Sequence, residues 1–585
     1  MVALGRHGMP AAPGQTGPVG EQPELTVQGW GPGGSRVARV GERDDRAEGV
    51  LELERDPDLR TALPRAARRH LTRELGWTPR STPAVPEAEI RLAPSRLPAE
   101  ARAALVALLG EEHVADDRTS RLTHTGGKSY LDLLRRREGD ASDAPDAVVF
   151  PGSTQQTAAL LQVCSERGVV AVPFGGGTSV VGGLAGTDVD DRPVVAVDLR
   201  RMNTVRSIDA PSSLATVGPG MRGPAFEEAL AGEGLSFGHL PQSWEFATLG
   251  GYAATRSAGQ AATGIGRFDD LVAGLTLATP VGVLEVGTPP AAAVGPDLLG
   301  LALGSEGTLG VITELRLRVR PAPRSTRYEG WSFRNWAAGL AGLQRLARHG
   351  LLPDVVQLSD EEESRTTLLQ ATGTTARALR GSLRARRHRE SCLLVVGWEG
   401  LPTLVRARQR AAASVLGEAG AARLGRRVGE SWLRQRFDAP YLRDRLLDAG
   451  LLVEVVETAA TWSAVPTVYD AVRRALQSSL AVPGKRPLVL THVAHGYATG
   501  ASLTFTVLAD RDDDLPIQQW LSAKRAATDA LLAAGGTLTH SSAVGVDHRP
   551  WLADEVGELG VDLLRAVKRR LDPQGICNPG VLLPD

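Results

Sequence analysis

The sequence predicts an α+β protein built as two lobes, and three observations carry that prediction. From Asp146 to Pro323 short apolar runs of strand length alternate with turn residues and a few helical stretches. Beyond Pro323 the texture changes to longer amphipathic stretches with strands between them. At 585 residues the chain exceeds one ordinary core, so more than one packed unit is expected.

Taken in order, residues 1–95 read as an N-terminal arm with short helices. Its first 50 residues are rich in Gly, Pro and charge, with little periodic apolar content. Between Thr61 and Leu75, arginines alternate with spaced Leu and Ala, the pattern of a short amphipathic helix. Residues 96–145 form a helical lead-in that begins with Ala99 to Leu109. The first lobe spans 146–322. AVVFPGS closes a strand with a turn, and Ser153 with Gln156 has the spacing of a capping box ahead of a helix that stops at Gly168. VVAVPF is a buried strand ending in a glycine run. Strand-like pieces follow at 194–199, 215–220, 275–280 and 283–288, and ITELRLRV (312–319) alternates cleanly. The second lobe spans 323–585, with helices over Asn335–Ala347, Thr403–Leu416, Val465–Leu480 and Pro516–Ala534. Its strands include LLVVGW (393–398) and ASLTFTVLA (501–509), and the last residues are expected to return to the first lobe through NPG (578–580).

Composition narrows the function classes. Hydrophobic residues make up 42% and charged residues 23%, the range of a soluble globular protein. The formal net charge is −1 and the arginines are spread along the chain, so no field recruits nucleic acid or an anionic membrane. The three cysteines, Cys164, Cys392 and Cys577, are far apart and lack C-x-x-C spacing, which argues against a disulfide frame or a cysteine metal site. No apolar run reaches the roughly 18 residues of a spanning helix. A soluble, cytoplasmic protein is the expectation.

The strongest chemical signal is PFGGGTSV, Pro173 to Val180, directly after a buried strand. Successive glycines let backbone N–H groups converge on an anion, and Thr178 and Ser179 add hydroxyl donors, as in a phosphate cradle. A plain glycine turn explains a lone run as well. The clusters PQSWEFATLGGYAATRSAG (241–259), GIGRFDDLV (264–272) and GSEGTLGVIT (304–313) favour the cradle, because each sets Gly, Ser or Thr beside a strand. Two other glycine motifs do not qualify. GPGMRG (218–223) matches a dinucleotide fingerprint, but Pro219 and Pro224 put any helix start after it. HTGGKSY (124–130) lacks the first glycine of a phosphate loop and reads as a capped turn into the helix from Tyr130, though His124 and Lys128 could approach the site.

In this order PFGGGTSV, SWEFATLGG…TRSAG and GSEGTLGVITELRLRVRP resemble the FAD-binding domain of the vanillyl-alcohol oxidase/p-cresol methylhydroxylase superfamily. GHLPQSWEFATLGG, GPDLLGLALGSEGTLGVIT, YLRD followed by ETAATW, GGTLTH and LDPQGICNPGVLL are most similar to the alkyldihydroxyacetonephosphate synthase family of ether-lipid synthesis. The resemblance implies the two-lobe FAD-binding fold of that oxidase type with an α+β substrate (cap) domain. It implies FAD held non-covalently, because Gly or Thr stands where covalent members carry a flavin-linking histidine. It implies a flavin site of Pro173, Phe174, Gly175, Gly176, Gly177, Thr178 and Ser179. Gln242, Ser243, Glu245, Thr248, Thr255, Arg256, Ser257 and Ala258 are carried over in the same way, with Glu306, Gly307, Thr308, Gly310 and Ile312. A homodimer is likewise compatible with the family.

The same resemblance implies an exchange of an acyl chain for a fatty alcohol without net redox change. Arg443, in YLRD, is placed as a partner for a lipid-phosphate substrate, since its planar fork binds oxyanions bidentately. His540 is the first of a family histidine triplet that continues here as Ser541 and Ser542, and Thr504 stands at the family's catalytic tyrosine. His540, Arg443 and Thr504 are therefore the candidate catalytic residues. The redox branch of the fold uses His…DGNxH and a later Glu-His; HGYATGASLT (495–504) and SSAVG (541–545) lack most of those groups. His492 and His495 remain as a metal pair on paper. At i and i+3 of a regular strand they point to opposite faces, so no metal is expected. An FAD-linked oxidase or dehydrogenase and a flavin-binding protein without turnover remain as rival readings.

Overall fold

The structure, a computed structural model, describes residues 25–31, 65–184, 191–287, 289–370, 381, 383 and 391–584. Most of the expected N-terminal arm lies outside these residues. Within them, Leu25–Gly31 and helix Arg65–Leu75 are packed: Leu71, Leu75 and Trp77 join Leu446, Leu451 and Leu508 in one apolar cluster.

Three sheets carry the architecture. The first has the order β1 (Val114–Ala115), β2 (Ala147–Val149), β4 (Val194–Asp198), β3 (Val170–Phe174), and its inner pairings are parallel. Helix α1 (Tyr130–Arg137) precedes β2, and α2 (Thr154–Arg167) crosses from β2 to β3. The capping-box spacing is used at the start of α2, where the Ser153 side chain accepts from Gln156 N–H, and Gly168 ends the helix in the left-handed conformation. The face of α2 carrying Leu160, Leu161 and Cys164 is buried against this sheet.

The second sheet is antiparallel, in the order β8 (Gly282–Val286), β7 (Val272–Thr279), β9 (Val311–Arg318), β6 (Leu214–Val217), β5 (Val205–Asp209). Helix α3 (Leu249–Thr255) packs Leu249, Tyr252 and Ala253 on it. The edge strand β5, VRSID, shows no apolar alternation because both its faces are wet, which is why periodicity does not mark it.

The third sheet is antiparallel and seven-stranded: β13 (Ala422–Gly425), β10 (Ser325–Phe333), β12 (Cys392–Gly400), β11 (Val355–Ser359), β15 (Leu488–Gly496), β16 (Gly500–Asp510), β14 (Leu451–Thr461). Along the chain these strands are joined through α4 (Trp336–Arg348), α5 (Glu361–Gln370), α6 (Pro402–Glu418), α7 (Arg426–Gln435), α8 (Ala439–Asp448) and α9 (Val465–Ser479). Two further helices, α10 (Pro516–Ala533) and α11 (Glu558–Leu571), follow β16. Strand alternation divides this sheet cleanly. Leu358, Leu394, Val396, Leu503 and Phe505 face the core shared with α4, α6, α9 and α10. Gln357, Leu393, Val395, Val455 and Thr506 face the other way, into a cavity.

The C-terminus returns to the first sheet. Cys577 bridges Ala171 of β3 in parallel, and Asn578 Nδ2 donates to the carbonyls of Gly183 (3.0 Å) and Glu306 (2.6 Å). Among the described residues no helix is long and apolar enough to cross a membrane.

Candidate active site

The cavity of about 1390 Å³ lies between the seven-stranded sheet and the loops that close the first two sheets. Pro173 to Ser179 form one wall, continuing β3. Gly176 is required there by space, since a Cβ would run into the carbonyl oxygen of Phe246, and Gly177 turns the chain at φ +65°. Among the described residues, the N–H groups of Gly175 to Ser179 donate to no backbone or side-chain acceptor. A row of free donors at the mouth of a strand fits the pyrophosphate of a dinucleotide. Gln242, Ser243, Thr248, Thr255, Ser257, Ala258, Glu306, Gly307, Gly310 and Ile312 line the same cavity.

Four sequence-predicted residues stand outside that lining. Glu245 is buried and accepts from the Tyr441 hydroxyl at 2.6 Å. Arg256 staples loops together, donating to the carbonyls of Leu303 and Gly300 and pairing with Asp269. Thr308 turns its hydroxyl back onto the Ser305 carbonyl at 2.7 Å. His540 sits one layer behind the wall: it stacks on His495 at 5.0 Å, and its Nε2 meets the Tyr497 hydroxyl at 2.6 Å. Burial lowers the His540 pKa, with the nearby Glu457 charge opposing.

Glu306 was expected on the flavin wall, and the structure adds a second duty. Its carboxylate accepts the N–H groups of Val544 and Gly545, both at 2.9 Å, tying the loop after α10 to the glycine wall. Burial pushes this acid up to about 7 against those two hydrogen bonds.

The polar chemistry is concentrated on three adjacent strands. Thr504 on β16 stands directly opposite Glu457 on β14 and His492 on β15, so the three form a row on the cavity face. Glu457 accepts from Ser541 N–H at 2.8 Å and Ser541 Oγ at 2.9 Å. Burial alone would raise this carboxyl; the His540 charge and the two serines outweigh it and hold it below its ordinary value. His492 Nδ1 lies 3.0 Å from Glu363 Oε1 of α5. Burial would lower that imidazole, and the Glu363 carboxylate more than compensates, so its pKa is raised.

The opposite-face argument for His492 and His495 fails here. An irregularity in register between Val493 and Gly496 interrupts the alternation, and both rings line the cavity. His495 is nevertheless committed to Gly259 O (2.9 Å) and Ser502 Oγ (3.1 Å), and burial pulls its pKa down to about 3.

Two cations complete the site. Arg443 on α8 is half-buried, not a surface residue: it pairs with Glu454 and donates to the Lys128 carbonyl at 3.0 Å, while its Nε has no partner among the described residues. Lys524 on α10 pairs with Asp547 at 2.9 Å. Both line the cavity. Glu457, Glu363, Tyr497 and Lys524 escape motif reading because each sits in an ordinary helix, strand or loop pattern; only strand pairing assembles them.

A dinucleotide nest beside an apolar chamber lined by one sheet face defines an FAD-binding protein of the oxidase type. Comparison with known proteins agrees: residues 145–287 match the FAD binding domain and residues 322–582 match the FAD linked oxidases, C-terminal domain. FAD is its cofactor. The chain belongs to the alkyldihydroxyacetonephosphate synthase family. It is 31% identical over 512 residues to the alkyldihydroxyacetonephosphate synthase of Dictyostelium discoideum, covering 86% of this chain and 84% of that one. It is 32% identical to the enzyme of that name from Trypanosoma brucei brucei, covering 82% and 79%. A solved structure of alkyldihydroxyacetonephosphate synthase superposes with TM-score 0.77 at 30% identity, covering 88% of this chain and 92% of that one. Substrate-bound p-cresol methylhydroxylase shares the fold, with TM-score 0.62 at 16% identity over 83% of this chain and 98% of that one.

Proposed function

We propose that the chain exchanges the acyl group of an acyl-dihydroxyacetone phosphate for a fatty alcohol, with non-covalent FAD in the cavity. The observation that carries this reading is the composition of one chamber. A donor nest, the cations Arg443 and Lys524, an apolar strip and a row of proton-handling groups open onto the same space. A phosphate monoester, an alkyl chain and a dinucleotide need those four surfaces together. The names of the relatives support the same reaction.

In the balanced reaction an alcohol R–OH loses its proton, its oxygen bonds to the substrate carbon, and the acyl group leaves as a carboxylate, with no net oxidation. Bound FAD supplies an electron sink beside that carbon. In this reading Arg443 orients the phosphate through its planar fork, and Leu393, Val395 and Val455 pack the alkyl chain. Glu457 and His492 are placed to hold and move the alcohol proton beside Thr504. Tyr497 and Glu457 set the protonation of His540, which positions His495. The domain limits expected from the sequence belong to this reading, with 146–322 holding the flavin and 323–585 the substrate, as do a homodimer and a cytoplasmic location. Three buried unpaired cysteines suit a reducing compartment.

The test is an anaerobic absorbance titration of the yellow holoprotein. Bleaching by palmitoyl-dihydroxyacetone phosphate and recovery with hexadecanol is the expected result. Bleaching by 2-hydroxy acids alone, with recovery by oxygen or a dye, would replace the synthase reading with an oxidase or dehydrogenase.

A further inference from the structure

The loop after α10 carries a cavity-lining histidine, His548, that the proposed chemistry leaves unused. The backbone around it is fixed to the glycine wall. Asp547 N–H donates to the carbonyl of Val181, two residues past Ser179, at 3.2 Å. Gly545 sits so close to the same carbonyl oxygen that a Cβ would overlap it. Val544 and Gly545 donate to Glu306, and His548 N–H closes the turn onto the Val544 carbonyl at 3.0 Å.

Hydrogen bonding decides which ring nitrogen carries the hydrogen. His548 Nδ1 lies 3.2 Å from the Ala543 carbonyl, and a carbonyl only accepts, so Nδ1 is the N–H. Burial and the nearby Lys524 charge lower the pKa against the opposing Asp547 charge, which keeps the ring neutral. Nε2 is then a bare lone pair. It has no hydrogen-bond partner among the described residues, and unlike Nδ1 of His239 it is not sealed inside protein. A ring that lines the cavity and spends one nitrogen on its own loop presents the other to the cavity.

The groups around it donate or are already engaged. The nest and Arg443 are donors, and Lys524 Nζ sits on Asp547 at 2.9 Å. Glu306 and Glu457 accept from N–H and O–H groups of the protein itself. A ligand group that meets His548 therefore brings its own hydrogen on oxygen or nitrogen, which a phosphate dianion lacks. We propose that His548 is a ligand-binding residue whose Nε2 accepts a hydrogen bond from an O–H or N–H of the cavity's ligand. Two sources carry that hydrogen, the fatty alcohol in its hydroxyl and the flavin in its imide N–H and ribityl hydroxyls. The inference rests on the reading that this cavity takes FAD and a long-chain alcohol.

Two amide substitutions separate the ring nitrogens. His548→Asn keeps a donor near the position of Nδ1 for the Ala543 carbonyl and removes the acceptor at Nε2; His548→Gln does the reverse. KM for hexadecanol is measured at saturating palmitoyl-dihydroxyacetone phosphate, and flavin release is followed by fluorescence on dilution of the full-length holoprotein. Loss of one hydrogen bond predicts a roughly two- to tenfold change in one of the two constants for His548→Asn, with His548→Gln closer to wild type. A higher KM with unchanged release assigns the alcohol; faster release with unchanged KM assigns the flavin. Both constants unchanged in His548→Asn, or impairment of His548→Gln alone, overturns the proposal and leaves a ring that only closes its loop. Should His548→Asn not fold, the Nε2 resonance in nitrogen NMR of the wild-type protein decides. It is expected to shift on adding FAD or hexadecanol, and a resonance indifferent to both overturns the proposal. A wild-type protein that retains no FAD, or turns over no hexadecanol, would instead remove the functional reading beneath it.

Discussion

At the scale of single residues, the site is governed by pairs, and each member is defined by what its partner does to it. Glu454 is buried, and the half-buried Arg443 faces it. Arg443→Ala leaves an uncompensated buried carboxylate, and breaking such a pair costs about 3–5 kcal/mol. The expected result is a large fall in denaturation midpoint, which Glu454→Gln in the same chain largely restores while turnover stays lost. Glu363 and His492 make the second pair. The raised His492 pKa means the pair's contribution to stability is complete below the unfolded value near 6.5. That contribution is lost as pH rises through the folded value. Glu363→Gln should therefore lower Tm more at pH 5.5 than at pH 8.5. The His492 titration, followed by NMR, should move to lower pH because burial is then opposed only by the Asp360 charge. An unmoved titration would remove Glu363 as the orienting group.

At the scale of elements, the glycine wall and the bulged strand matter most. The wall was legible in the sequence because the glycine run after a buried strand is accompanied by the clusters at 241–259, 264–272 and 304–313; alone it reads as a turn. The reason for Gly176 was not: it is the carbonyl of Phe246, a residue 70 positions later, that forbids a side chain. Gly176→Ala is expected to give folded protein with a much weakened flavin band, read as the ratio of visible to 280-nm absorbance. Full flavin loading in that variant would show that the wall can yield. In β15, the irregularity after Val493 overrules period-2 reasoning and turns His495 to the cavity with His492. Composition cannot reveal such a register change, because it depends on which residue of β16 lies opposite.

At the scale of the whole molecule, segments far apart along the chain, at Trp30 and at Asn578, reach the walls of one cavity. Asn578 holds the carbonyls of Gly183 and Glu306, while Glu306 holds Val544 and Gly545. The C-terminal return thereby locks the glycine wall to the loop after α10. Asn578→Ala leaves two carbonyls without this donor, at about 1–3 kcal/mol for a buried group left unsatisfied. Its signature is a lower Tm together with faster flavin release on dilution; a lower Tm with unchanged release would separate the return from the site.

The sequence by itself determined the α+β class, most helices and strands, the glycine wall and the family. Strand and helix periods, capping residues and glycine runs are local properties, and a multi-motif match survives without any coordinates. Arg443 and Thr504, carried over from the family resemblance, both line the cavity. Only the tertiary structure decided that His540 stands behind the wall and Glu457 and His492 in front of it. It alone showed that Arg256 and Thr308 serve the loops, and that Trp30 comes from the arm to the cavity. Those outcomes depend on pairings between residues tens to hundreds of positions apart, and local chemistry carries no record of which partner a buried polar group will find.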